Sequence, residues 1–385
     1  MRAPALEPTR RPEFGLATSA FQVEGGWRQR GASIWDAACP QGATACASWP
    51  DFEAELAMLK WVGAEAFRFS LAWPRLCPDG RQFRAAQLAP YERLVEQLLE
   101  AGIRPVPTLY HWDLPLALEG GWKNPDTARH FGDYVEAVLA RLSDRVGQWF
   151  TLNEPWCSCH LGYETGEHAP FETCRPGVVA QVRHHLLEAH RLAVEAVQAA
   201  GCRCGAAMLP IPFVAAGPEH EEAAEQAWRE VNDIWFQALH PADFLGLNLY
   251  YPSVVEATDG GWRERDWAGP SNSLGWPVDP TFYRPTIEKV LARYGPQSLV
   301  ISETGWATSD DEQRLRWLEE SDLDSLPVET VFFWSLMDNL EWQHGFEPQF
   351  GFFSRRGEPK PSADWLRRSW GRAKAERDRK NWRLP

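Results

Sequence analysis

The chain has 385 residues, 44% apolar and 24% charged, both within the globular range, and no apolar run reaches the ~18 residues that span a bilayer, so neither a disordered chain nor a membrane protein is expected. A formal charge of −14 disfavours nucleic acid as a partner, because phosphate binding needs clustered Lys and Arg; a neutral small molecule is easier to reconcile with it. Met1 to Pro12 carries Arg2, Arg10 and Arg11 among prolines but no apolar h-region, so no secretory signal is read and cytoplasmic residence is expected.

Apolar, β-branched runs recur with amphipathic helical stretches between them. The first strand is expected near 14–18, followed by a helix whose Phe52, Leu56 and Leu59 recur at i, i+4 and i+7. The second, near 64–71, carries Arg68 in Phe67-Arg68-Phe69-Ser70, a charge inside an otherwise apolar strand. A stripe of Leu94, Val95, Leu98 and Leu99 follows, closed by Ala101-Gly102 before a third strand near 103–110. Phe131, Val135, Val138, Leu139 and Leu142 form the next stripe, and a fourth strand near 147–153 runs into Glu154.

His184, His185 and His190 then fall in a helix, but spacings of five and six do not put two imidazoles one turn apart, so a structural helix face is read rather than a metal site. Ala200-Gly201 ends that helix before a fifth strand near 203–209. The sixth strand is expected near 242–249, leading into Tyr250, the seventh near 297–302, leading into Glu303, and the eighth near 328–335. The basic tail from about Arg372 reads as a solvated helix end. The eight cysteines include two C-x-C pairs but no C-x₂-C spacing, and free thiols are expected.

Eight βα units without a linker, repeat or low-complexity segment point to an α/β fold, a single (β/α)8 TIM barrel over residues 1–385 as one domain. Active sites of such barrels sit at the C-terminal ends of the strands, which is where Glu154 and Glu303 fall. Pro155 ends strand four directly after Glu154, and Gly305 releases the chain after Glu303. Two carboxyl groups at one barrel mouth suit glycosidic bond cleavage, which needs one acid to protonate the leaving oxygen and one carboxylate on the opposite side of the sugar. The two need different proton affinities. Arg68 and Tyr250 are placed to keep Glu303 charged, one by ion pairing and the other by a donated hydrogen bond.

The ordered strings Phe14-Gly15-Leu16-Ala17-Thr18-Ser19-Ala20-Phe21-Gln22, Ser33-Ile34-Trp35-Asp36, Phe67-Arg68-Phe69-Ser70, His111-Trp112-Asp113-Leu114-Pro115, Asn153-Glu154-Pro155, Phe332 to Trp342 and Phe350-Gly351 together resemble glycoside hydrolase family 1, the retaining β-glucosidase and β-galactosidase family, over most of the chain. The resemblance implies that Glu154 is the acid/base and Glu303 the nucleophile. It also implies that Gln22, His111, Asn153, Glu341 and Trp342 hydrogen-bond the sugar hydroxyls, with Trp334 as the platform under the ring and Phe350 among the substrate-binding residues. Hydroxyls need convergent donors and acceptors, whereas the C–H face of a pyranose packs on an aromatic ring. Most of the 21 tryptophans are expected in the core.

The family's 6-phospho-glycosidases differ in pattern around Glu341, where a carboxylate would repel phosphate, so a non-phosphorylated glycone is expected. The chain departs from the family in reading Glu303-Thr304-Gly305 for Glu-Asn-Gly and Asn248-Leu249-Tyr250 for Asn-Tyr-Tyr. It also looks trimmed after strands five and seven, which predicts an open outer site with broad leaving-group tolerance. The expected activity is that of a retaining β-glycosidase acting on a small-molecule β-glycoside of glucose, galactose or fucose, with no metal or organic cofactor. A transglycosidase using the same intermediate and a sugar-binding barrel with degenerate activity are the alternatives.

Overall fold

A computed structural model describes residues 11–43, 45–46, 48–239 and 242–370; the N-terminal reading over Met1–Arg10 and the basic tail lie outside the described residues. Eight parallel strands close a barrel: β1 (Glu13–Ala17), β2 (Ala66–Ser70), β3 (Arg104–Tyr110), β4 (Gln148–Asn153), β5 (Arg203–Met208), β6 (Leu245–Asn248), β7 (Leu299–Thr304) and β8 (Thr330–Trp334). They neighbour one another in chain order, with β8 hydrogen-bonded back to β1. All eight expected strands form, and the (β/α)8 barrel follows from them.

The helices around the barrel arise where the apolar period demanded them. Phe131, Val135, Val138, Leu139 and Leu142 are all buried on the helix Asp126–Leu142, which packs on the helix Pro176–Ala199. The helices Ala85–Glu100 and Pro176–Ala199 both end at the expected Ala-Gly pairs, with Gly102 and Gly201 in the left-handed region that closes a helix without a Cβ penalty. Leu99 corrects the second stripe: it is 43% exposed, because Leu94, Val95 and Leu98 already fill the inward arc. Five tryptophans, Trp35, Trp73, Trp122, Trp149 and Trp228, are fully buried as packing residues.

Inside the barrel Ala17, Ala66, Val106, Phe150, Ala207, Val300 and Phe332 make a separate apolar layer. Two large rings fit because small residues face them: a Cβ on Gly15 would lie 2.4 Å from the Phe332 ring. This layer is the floor beneath the barrel mouth.

The connections after strands five and seven hold helices. Between β5 and β6 the chain forms Glu221–Trp228, a π-turn over Arg229–Asp233 and Ile234–Phe236; between β7 and β8 it forms Asp311–Glu320. A small sheet not anticipated from the sequence also lies here, with Phe213–Ala215 pairing parallel to Ser253–Thr258 and the latter antiparallel to Gly261–Glu264. Among the described residues no helix is long and apolar enough to cross a membrane. All eight cysteines are free. The histidine group serves packing, with His185 Nδ1 2.8 Å from the Trp122 carbonyl and His190 Nδ1 2.8 Å from Thr151 Oγ1.

Candidate active site

The two candidate carboxylates leave the barrel where the strand ladders break. The β4–β5 register shifts between Phe150 and Asn153, and the β7–β6 register shifts between Ile301 and Glu303. Such irregularities re-aim a side chain at a strand end. Glu154 then takes a left-handed φ of 42°, and Pro155 starts a helical turn. Beyond Glu303, Gly305 is required by a close approach, since a Cβ there would lie 2.1 Å from the Trp334 carbonyl oxygen. Trp112 and Trp342, at φ 73° and 47°, carry the same kind of backbone strain beside the site.

Both glutamates line one cavity of about 250 Å³ at the barrel mouth. Gln22, His111, Asn153, Tyr250, Trp334, Glu341, Trp342 and Phe350 line it too, so ten of the eleven site residues expected from sequence converge there. Arg68 is the eleventh and lies behind the wall, buried.

The surroundings of the two carboxyls differ in kind. Glu303 accepts from Arg68 Nη1 at 2.5 Å and from the Tyr250 hydroxyl at 2.6 Å. The rest of the guanidinium is satisfied by the Ser302 carbonyl, Asn153 Oδ1 and Thr108 Oγ1. A buried ion pair whose every polar atom has a partner holds its charge; losing one member of such a pair costs about 3–5 kcal/mol. Among the described residues no cation forms an ion pair with Glu154. Glu154 accepts from Asn248 Nδ2 at 2.5 Å and from the Cys157 thiol at 3.1 Å. Burial first, and the charge on Glu303 second, push its carboxyl up to about 7. A third carboxyl, Glu341, is pushed up to about 8 by burial and by the charges of Glu303 and Glu154.

Polar groups around the cavity are fixed by their own network. Asn153 Oδ1 accepts from Arg68 and from Asn248, so its Nδ2 faces His111 Nε2 at 3.2 Å. That leaves the His111 proton on Nδ1, which is buried without a hydrogen-bond partner among the described residues. Burial, aided by Arg68, lowers the His111 pKa, so the ring stays neutral. Gln22 is held by Ser19, Asn339 and the Leu340 carbonyl, and its amide reaches Glu341 at 3.4 Å. Trp334 stacks on His111, and Trp342 stacks on Phe21, with ring centroids 5.7 and 5.4 Å apart.

The sequence model of glycosyl hydrolase family 1 matches residues 12–241 and 237–367, nearly the whole chain. The chain belongs to glycosyl hydrolase family 1. Among family members it is 34% identical to a β-glucosidase of an Agrobacterium strain, over 88% of each chain. It is 33% identical to a bifunctional β-D-glucosidase/β-D-fucosidase of Bifidobacterium breve, over 92% of this chain and 96% of that one. The latter alignment runs over 444 positions, more than this chain possesses, so the relative carries segments absent here. The family 1 β-glucosidase of Thermotoga maritima, solved in complex with glucoimidazole, superposes with a TM-score of 0.86 at 28% identity, covering 93% of this chain and 98% of that one.

The two residues that hydrogen-bond Glu154 at this family 1 site, Asn248 and Cys157, were not anticipated. Asn248 had a signal: Leu247 and Leu249 pack in the outer core, so period two turns Asn248 inward, beside Glu303 in register. Cys157 had none, because its place depends on the turn after Pro155. The outer part of the cavity adds Trp112, Trp156, Tyr251 and Trp276.

Proposed function

We propose that this family 1 chain is a retaining β-glycosidase acting as one catalytic domain, in which Glu303 attacks the anomeric carbon while Glu154 protonates the leaving oxygen. Water then hydrolyses the glycosyl-enzyme with Glu154 acting as base. The observation that carries this reading is the opposed environment of two carboxyls in one cavity. Glu303 is ion-paired to Arg68, whereas burial and a neighbouring charge favour the neutral form of Glu154. A nucleophile needs its charge and a general acid needs its proton.

The glycone is assigned to the inner half of the cavity, with Trp334 beneath the ring and Phe350 beside it. Gln22, His111, Asn153, Glu341 and Trp342 take the hydroxyls. Asn153, next to the acid and anchored to Arg68, is assigned to the 2-hydroxyl, whose hydrogen bonds strengthen in the transition state. His111 lines the cavity as a neutral ring. Glu341 stands in the middle of this set as a carboxyl without a basic contact, which suits a neutral, non-phosphorylated sugar. The substrate is a small β-glycoside, and the trimmed connections favour tolerance of varied leaving groups. The transferase and binding-only alternatives draw no support from the cavity or from the relatives, whose names are those of glucosidases.

A panel of aryl β-glycosides tests the reading. Turnover is expected with β-glucoside and its unphosphorylated relatives, and not with the α anomers or 6-phospho sugars. Across pH, kcat/KM should fall as pH rises through about 7, because Glu154 loses the proton it must donate. Activity that climbs steadily from pH 6 to 9, or equal turnover of α and β anomers, would contradict it.

A further inference from the structure

Cys157 is the third residue after Glu154 and sits on the first turn that Pro155 opens, where the Ser158 amide donates to the Glu154 carbonyl at 3.2 Å. That turn runs into a π-helical segment, Cys157–Leu161, and places the thiol directly beside the carboxyl rather than out among the helices. The thiol is buried, lines the same cavity as both glutamates, and lies 3.1 Å from Glu154 Oε2. Asn248 Nδ2 occupies the other oxygen, Oε1, at 2.5 Å. Each oxygen of the acid is thus held by one neutral donor from a different element.

We propose that Cys157 is a positioning residue for the acid/base: with Asn248 on the other oxygen, its thiol fixes the plane of the Glu154 carboxyl relative to the leaving group. This rests on the assignment of Glu154 as the acid. Burial and the Glu154 charge raise the thiol pKa well above its ordinary value, so the sulfur keeps its proton and donates it to the carboxylate. A donated hydrogen bond is stronger to the charged carboxylate than to the neutral acid, so it favours the ionised form. Without it, Glu154 should hold its proton to higher pH. The other titratable groups that act on Glu154 and Cys157 are Glu303, Glu341, Arg68, Tyr250 and Tyr251. None of these changes in a Cys157 variant, and a limb set by Glu341 would not depend on the leaving group.

The test compares wild type with Cys157→Ala, Cys157→Ser and, as a reference for the acid itself, Glu154→Gln. The measurement is the pH profile of kcat/KM on two β-glucosides, one with a dinitrophenyl and one with an alkyl leaving group. For Cys157→Ala the alkaline limb on the alkyl glucoside should move up by about half to one pH unit, the size of a lost neutral hydrogen bond. Its rate at the optimum should fall about tenfold, while the dinitrophenyl substrate changes less than about twofold. Cys157→Ser restores a donor, and its limb should return to the wild-type position or below it.

Limbs that coincide in all three Cys157 forms would overturn the proposal, as would equal losses on both substrates. If Glu154→Gln itself lacks any leaving-group dependence, it is the assignment of the acid that fails, not the role of Cys157.

Discussion

Glu303→Ala is expected to lower kcat/KM on an aryl β-glucoside by roughly four orders of magnitude or more, with the protein still folded, because the group assigned to attack the anomeric carbon is removed. The Tyr250 hydroxyl touches Glu303, but burial and the nearby Glu303 and Glu154 charges keep it protonated. Truncation also opens space beside Arg68, which loses its anionic partner. A small external anion can fill that space and complete a single displacement. Azide or formate should therefore restore part of the turnover of an activated substrate, and azide should leave as the α-glycosyl azide. A residual rate near that of wild type, or rescue giving the β-azide, would move the nucleophile elsewhere.

Glu154→Gln should separate the two steps of the reaction. Departure of an alkoxide needs the proton, so a substrate with a poor leaving group should lose about 10²–10⁴-fold in kcat/KM. A dinitrophenyl leaving group needs no protonation and should react at nearly the wild-type kcat/KM. Its kcat should nevertheless drop, because hydrolysis of the glycosyl-enzyme has lost its base, and KM should drop with it as the intermediate accumulates. Azide should speed this second step and give the β-glycosyl azide, the opposite anomer to the Glu303→Ala product. Uniform losses across leaving groups would argue that Glu154 only shapes the cavity. The same variant should also flatten the decline in kcat/KM above pH 7, since the group pushed up to about 7 is gone.

Much of this site was legible in the sequence because the barrel turns one-dimensional signals into places. Strand alternation followed by Pro155 or Gly305 marks where a chain leaves the barrel, and both glutamates stand at those marks. Arg68 was legible for the opposite reason, as a charge where every neighbour on its strand is apolar or small; the structure pairs it with Glu303. What escaped depends on contacts that sequence spacing does not encode. The small sheet around Ser253–Thr258 consists of short strands with partly exposed faces, so it lacks the continuous apolar run that marked the barrel strands. Leu99 has the right period for the buried stripe yet lies at the edge of the arc. Cys157 acts through a π-turn, and no residue pattern near it announces that geometry. Length was informative as well, since the relatives' longer alignment bears out a trimmed chain.

Charge is unevenly distributed across the cavity. Besides the exposed Glu167, three carboxyls line the cavity, and among the described residues the only guanidinium hydrogen-bonded to any of them is that of Arg68, on Glu303. Two of the three, Glu154 and Glu341, have their pKa raised. The third, Glu303, is the carboxylate to which the proposed mechanism assigns the attack.

The covalent glycosyl-enzyme is the step on which this account turns, and a slow substrate can hold it for inspection. Incubation with a 2-deoxy-2-fluoro β-glucoside bearing a good leaving group, followed by mass spectrometry of the intact protein and of its peptides, should show one fluorosugar per chain, attached to Glu303. An unmodified protein that nonetheless turns over its substrates, or a sugar attached at any other residue, would contradict it.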